Sequence, residues 1–270
     1  MTAPELPAAR TIRLTLHYDG GGFAGWQTQP AERTVQGELE AALARLTAGA
    51  AESVIAAGRT DRGVHATGQV VGARVPSKWT PDALARALNA VLPQDIWIAA
   101  AAGVEAGFHA RYDAVARGYI YRVGTGEVAA SPFLRRWCWP LRQPLRPEVL
   151  AEAATKFLGT HSFRSFAKTG QPERGERCTV YRSEWRPWPV AGIAYHVTAN
   201  RFLHHMVRYM VGTMVDIARG RRPAGDVSAL LAGGRGVETS PPAPAAGLCL
   251  TRVYYAPGEL EHERLDETVP

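Results

Sequence analysis

TIRLTLHY (residues 11–18) alternates Ile12, Leu14 and Leu16 with polar neighbours. That period of two suits a strand with one buried face and does not suit a helix. The period then switches repeatedly. Thr34 is placed to N-cap a helix carrying Val35, Leu39, Ala42, Leu43 and Leu46 on one face. SVIAAG (53–58) and GQVVGARV (68–75) read as strands, and Thr80-Pro81 opens a helix through Leu84, Leu88 and Val91. DIWIAAAAGV (95–104) is a further strand, giving the order strand, helix, strand, strand, helix, strand. Half-buried strands and one-faced helices in this order must cover one another, which points to an α+β fold.

The remainder repeats this plan loosely. ARGYIYRVGTG (116–126), CTVYRSEW (178–185), IAYHVTAN (193–200) and LCLTRVYY (248–255) read as strands. Helices are expected near 147–158, from Phe202 to about Arg219, and near 224–232, with the Pro-rich ETSPPAPAAG before the last strand. The expectation is two α+β halves, 1–110 and 111–270, sharing an antiparallel sheet, with a frayed charged C-terminus. The sequence has 46% hydrophobic and 21% charged residues, as expected of a soluble globular protein, and lacks an apolar run long enough for a transmembrane helix. MTAPELPAARTIRL does not read as a secretory signal. Cys138, Cys178 and Cys249 are far apart, fit no metal spacing and suit a reducing cytoplasm. The pair His204-His205, taken as adjacent helical positions, points two ways and is poorly placed for one metal.

Net charge is +6, and Lys78, Lys156 and Lys168 are the only lysines among 31 basic residues. Arginine grips phosphate through a planar fork, so the excess suits a nucleic-acid partner, although a GC-rich coding sequence also favours arginine.

GRTDRGVHATGQV (58–70) sets one acid, Asp61, between Arg59 and Arg62. Flanking positive charge favours a carboxylate, and Gly58 and Gly63 permit a sharp turn, as a nucleophile or base requires. The same spacing also suits an exposed Arg–Asp turn. Gly20 to Gly25 formally match GxGxxG, but Pro30 intervenes before the next helix, so a nucleotide cofactor is not expected; the loop reads as a flexible turn exposing Phe23 and Trp26. On the helix after Phe202, Leu203, Met206, Val207, Met210, Met214, Ile217 and Ala218 share one face at about 100° per residue. His204, Arg208, Gly212 and Arg219 fall opposite, where they form either a solvated face or a wall from which Arg208 meets a carboxylate in a cleft. Tyr119 and Tyr121 share a strand face, either as core or as a platform for a base, and HAR (109–111), Arg117 and Arg122 add charge nearby.

GRTDRGVHATGQV closely resembles the signature GRTDxGVHAxGQV of the tRNA pseudouridine synthase A family. YDGGGFAGWQTQ, TVQGELEAAL, LNAVLPQDI, FHARYDAVARGYIY, FLHHMVRYMVG and PAAGLCLTRVYY are similar to family blocks in family order, from about residue 11 to 256. The resemblance implies ferredoxin/RRM-like α/β-sandwich halves around a central catalytic cleft. It also implies isomerisation of uridine to pseudouridine at positions 38, 39 and 40 of the tRNA anticodon arm, by a homodimer without cofactor or metal. In this reading Asp61 is the catalytic aspartate, Tyr119 packs on the target base, Arg208 pairs with the aspartate and Arg59 lies by the flipped nucleotide. Arg62, where alanine is common, and Tyr209, where asparagine is common, depart from the pattern. Attack at C6 or C1′, or removal of a 2′ proton, is left open. A non-catalytic RNA-binding protein would not need Asp61 between two arginines, and a nucleoside hydrolase would release free uracil.

Overall fold

The computed structural model describes residues 9–168, 175–233 and 236–261. The frayed tail expected from the sequence falls mostly outside them. The described chain forms two compact units, one holding the residues up to Val115 and from Thr251 onward, the other Ala116–Leu250. Both are mixed α+β with mainly antiparallel strand pairing.

In the first unit the elements run β1 (Ala9–Tyr18), α1 (Val35–Thr47), β2 (Ile55–Ala56), β3 (His65–Pro76), α2 (Pro81–Val91) and β4 (Ile96–Gly103). The strand order is β4-β1-β3, with β2 beside β3, all antiparallel. Ile12, Leu14, Leu16 and Tyr18 are buried, as alternation along β1 requires, and so are Leu39 and Leu43 of α1 and Leu84 and Leu88 of α2. Both predicted caps form: Thr34 accepts from Gly37 N at 3.2 Å and Thr80 from Ala83 N at 3.3 Å. The Asn89 side chain ties α2 to β4, accepting from Ile98 N at 2.7 Å and donating to Ile98 O at 3.0 Å. The strand read over SVIAAG shrinks to Ile55–Ala56, because beyond Ala57 the chain leaves β3 to form the turn around Asp61.

The second unit contains β5 (Ala116–Gly124), β6 (Trp139–Pro140), α3 (Pro147–Thr155), β7 (Gly159–Ser162), β8 (Arg177–Trp188), β9 (Gly192–Ala199), α4 (Met206–Ala218) and α5 (Asp226–Leu231). β10 (Leu248–Tyr254) starts in this unit and ends in the first, which α6 (Gly258–Glu261) follows. Strand order is β5-β9-β8-β7, with β6 a short parallel addition to β5. Tyr121 and Tyr195 are wholly buried on one sheet face, where Ser183 Oγ donates to Ala154 O of α3 at 2.7 Å and Trp185 Nε1 donates to Met214 Sδ of α4 at 3.3 Å. Arg146 closes the end of α4, donating to Ala218 O at 2.9 Å and Ile217 O at 3.1 Å, where a cation offsets the helix dipole. α4 starts four residues later than expected, because His205 takes a left-handed conformation (φ 64°) at its N-cap. His204 and His205 are therefore not successive helical positions, and their ring centroids lie 4.1 Å apart. Among the described residues, no helix is long and apolar enough to cross a membrane.

A Cβ at Gly68 of β3 would collide with the carbonyl of Thr251, whereas Gly103 of β4 faces open space. Gly68→Ala should lower unfolding free energy by about 1–3 kcal/mol and Gly103→Ala should leave it within about 1 kcal/mol, measured by urea denaturation. On the other face of the second unit's sheet, burial, reinforced by Arg182 and Arg186, pushes His196 down from 6.5 to about 4. The unfolded chain therefore binds a proton that the fold refuses, and stability should decline as pH falls from about 6.5 to about 4, then level off. His196→Gln should remove that part of the slope, at most about 3 kcal/mol, in unfolding curves taken across this window.

Candidate active site

Asp61 sits in a tight turn between β2 and β3 whose shape is imposed from below. Val64 N donates to Asp61 O at 3.1 Å, and Gly63 takes φ 78°, which a side chain would resist. Thr60 is buried; its hydroxyl lies 2.8 Å from Tyr18 Oη, and its carbonyl accepts from Trp26 N at 3.0 Å. Gln69 donates to Gly58 O at 2.8 Å, fixing the other shoulder of the turn.

The glycine-rich loop after β1 is the seat of this turn. Gly25 has φ 107°, and a Cβ there would stand 2.8 Å from Thr60 O and 3.2 Å from Arg62 N. A Cβ at Gly20 would strike Val64 O. The GxGxxG pattern thus reflects close backbone approach. The expectation that this loop exposes Phe23 and Trp26 is wrong: they are 2% and 3% exposed. The cause is long-range pairing. Arg33 lies 4.2 Å from the Phe23 ring centroid and grips Asp95 through both terminal nitrogens, at 2.7 and 2.9 Å. Ala24 N donates to Arg33 O at 2.8 Å, so the loop is pinned inward.

Asp61 is half-buried, while Arg59 and Arg62 are exposed. Arg62 Nη2 meets Glu32 at 2.9 Å, which gives this departure from the family pattern a structural partner.

The second unit supplies the other two candidates. Tyr119 is nearly buried on β5, opposite Val197, with its ring edge-on to Phe202 at 5.0 Å. Tyr121 lies deeper and donates to Pro244 O at 2.7 Å; burial raises its phenol well above the ordinary range despite the opposing charge of Arg208. Arg117 shares the tyrosines' side of β5 and donates to Asn200 O at 3.1 Å. Arg122, expected beside the rings, alternates to the other face and is buried over Trp188 at 5.7 Å. Burial holds its guanidinium below the usual arginine range.

Arg208 is half-buried on α4. Where a solvated face was one reading of this helix, the Pro-rich segment at 240–244 packs against Arg208 and Gly212, while His204 is exposed. Arg208 Nε donates to Ala243 O at 2.7 Å, and Ala243 N donates back to Arg208 O at 2.9 Å. Ser240 N donates to Thr213 Oγ1 at 3.3 Å, and a Cβ at Gly212 would collide with Pro241 O. Gly212 therefore leaves no vacant space; it makes room for the segment's backbone.

A profile of the tRNA pseudouridine synthase family matches residues 15–113 and 153–256, which include Asp61 and Arg208. The chain belongs to the tRNA pseudouridine synthase family. It is 46% identical over 251 residues to tRNA pseudouridine synthase A of Moorella thermoacetica, covering 90% of this chain and 99% of that protein. The protein of the same name from Lacticaseibacillus casei is 40% identical, covering 90% of this chain and 98% of its own length. That from Halalkalibacterium halodurans is also 40% identical, with 94% and 96% covered. As a member, this synthase is an isomerase that converts uridine to pseudouridine in tRNA.

The sequence reading of the synthase missed the supports around the candidate residues. Arg33 and Asp95 lie 62 positions apart, and Ala243, whose carbonyl accepts from Arg208 Nε, lies in a stretch without periodicity. The only local hints were the glycines at 20, 25 and 212. Gly25→Ala should destabilise the synthase by about 1–3 kcal/mol and, by moving Thr60 and the turn, should reduce turnover at temperatures where the variant stays folded. Thermal melts paired with single-turnover assays will measure both effects.

Proposed function

We propose that this synthase modifies uridine at positions 38, 39 and/or 40 of the tRNA anticodon stem-loop, with Asp61 as catalytic nucleophile. The observation that carries this reading is a glycine-seated turn that holds one half-buried carboxylate while its neighbouring arginines stay exposed. An exposed Arg–Asp turn would need no such seat. In this reading the sequence halves 1–110 and 111–270 are similar ferredoxin/RRM-like folds sharing an extended, mainly antiparallel sheet with a central catalytic cleft; the mainly antiparallel strand pairing supports it.

The reaction breaks the N1–C1′ bond, turns the uracil and joins C5 to C1′, after which the C5 proton departs and N1 is protonated. No net oxidation or group transfer occurs. The target must first leave the stack, at a cost of a few kcal/mol that is lower in a loop or a loop-closing stem. In this reading Arg208 pairs with Asp61. Tyr119 stacks on the uracil and excludes water, so the freed base rotates in place. Its near-burial and edge-on Phe202 support a fixed ring. Exposed Arg59 meets RNA phosphate beside the flipped nucleotide. The active species is a homodimer in the cytoplasm; the three buried free thiols suit a reducing compartment.

Unmodified tRNA labelled with tritium at uracil C5 tests the reaction. The expected result is tritium release without free uracil, with pseudouridine mapping to 38, 39 or 40. Free uracil would make the protein a glycosidase, and neither product would make it a binding module.

A further inference from the structure

We propose that Tyr121 is a positioning residue for this reaction: its hydroxyl latches the 240–244 segment, and that segment sets the plane of the Arg208 guanidinium. The proposal rests on the role given to Arg208 above. The chain of contacts is short. Tyr121 Oη donates to Pro244 O at 2.7 Å, and the next residue back, Ala243, accepts from Arg208 Nε at 2.7 Å while its N–H bonds the Arg208 carbonyl at 2.9 Å. A bond at Nε restricts rotation at the inner end of the guanidinium, so the remaining nitrogens keep a fixed direction. Tyr121 is wholly buried, so water cannot replace its hydroxyl if the bond is lost.

The surrounding residues are shaped for this latch. A Cβ at Gly247 would stand 2.6 Å from Tyr121 Cζ and 2.8 Å from Arg122 O, so the segment can follow the phenol only with glycine there. Gly212 likewise admits Pro241 O, and Thr213 Oγ1 receives Ser240 N at 3.3 Å as a second latch. A tyrosine needed only to fill the core would be served equally by phenylalanine, which keeps the ring and its volume. The hydroxyl is what this account requires.

The test is a double-mutant cycle on the full chain with Tyr121→Phe and Arg208→Lys, reading single-turnover rate and tRNA affinity. Tyr121→Phe should slow turnover about 3- to 10-fold, as loss of one buried hydrogen bond implies, with tRNA Kd changed by less than about twofold. In the Arg208→Lys background the same change should have almost no further effect, because the group being aimed is gone. Thr213→Val should show the same dependence on Arg208, and it carries the test if Tyr121→Phe does not fold. Normal turnover in Tyr121→Phe beside an impaired Arg208→Lys would overturn the latch and leave the arginine assignment intact. Full turnover in Arg208→Lys would overturn the assignment and the latch with it. Equal losses in both backgrounds would reduce Tyr121 to a structural role and overturn the proposal.

Discussion

The backbone of Gly25 lies close enough to the carbonyl of Thr60 that no side chain fits between them, and the candidate active site of the first unit depends on that approach. Thr60 is held from two more directions, by Tyr18 through its hydroxyl and by Trp26 through its carbonyl. With Thr60 fixed, the left-handed Gly63 turns the chain back toward β3, and Asp61 stands at the crest. The cost of desolvating this carboxylate is limited because it is only half-buried. The arrangement explains why a chain concentrates glycine after its first strand without building a nucleotide site. There the small residue serves contact between two loops of the same protein, and Arg33 bridging Phe23 and Asp95 keeps one of them pressed inward.

The second unit uses the same physical device on a helix. Gly212 opens the surface of α4 to a proline-rich segment, whose backbone then supplies the hydrogen bonds that Arg208 takes. Prolines suit such a strap: they donate no backbone hydrogen bond themselves and stiffen the chain, while Ser240 and Ala243 between them provide the N–H groups that bond α4. Side-chain direction is thus set by main-chain atoms, which substitution alters little. Arg146 at the far end and the left-handed His205 at the near end complete the helix's boundaries.

The α+β class and most strand and helix positions were legible because the periods of two and 3.6 are local properties of the chain. Thr34 and Thr80 marked two helix starts correctly, since a cap is also decided within four residues. What escaped the sequence was decided at long range. Ile55–Ala56 is shorter than its apolar run because the turn at Asp61 takes the residues that follow. α4 begins late because His205 adopts a conformation that its side chain does not announce. Phe23 and Trp26 looked exposed because glycine neighbours suggest a loose loop, and the sequence could not reveal Arg33 and Thr60 as their partners. Of the candidate site, the motifs singled out Asp61 and Arg208 as candidates; the backbone atoms from distant segments that hold the Asp61 turn and bond Arg208 Nε were not legible.

In the proposed reaction Asp61 performs the chemistry and the arginines bind. A carboxylate near RNA weakens binding, since it repels phosphate, so its removal separates the two functions. The decisive measurement is pseudouridine formation and tRNA affinity of Asp61→Asn under single-turnover conditions. The account predicts no detectable pseudouridine and a Kd equal to or tighter than that of the unaltered protein. Pseudouridine formed by Asp61→Asn at an appreciable rate would contradict it.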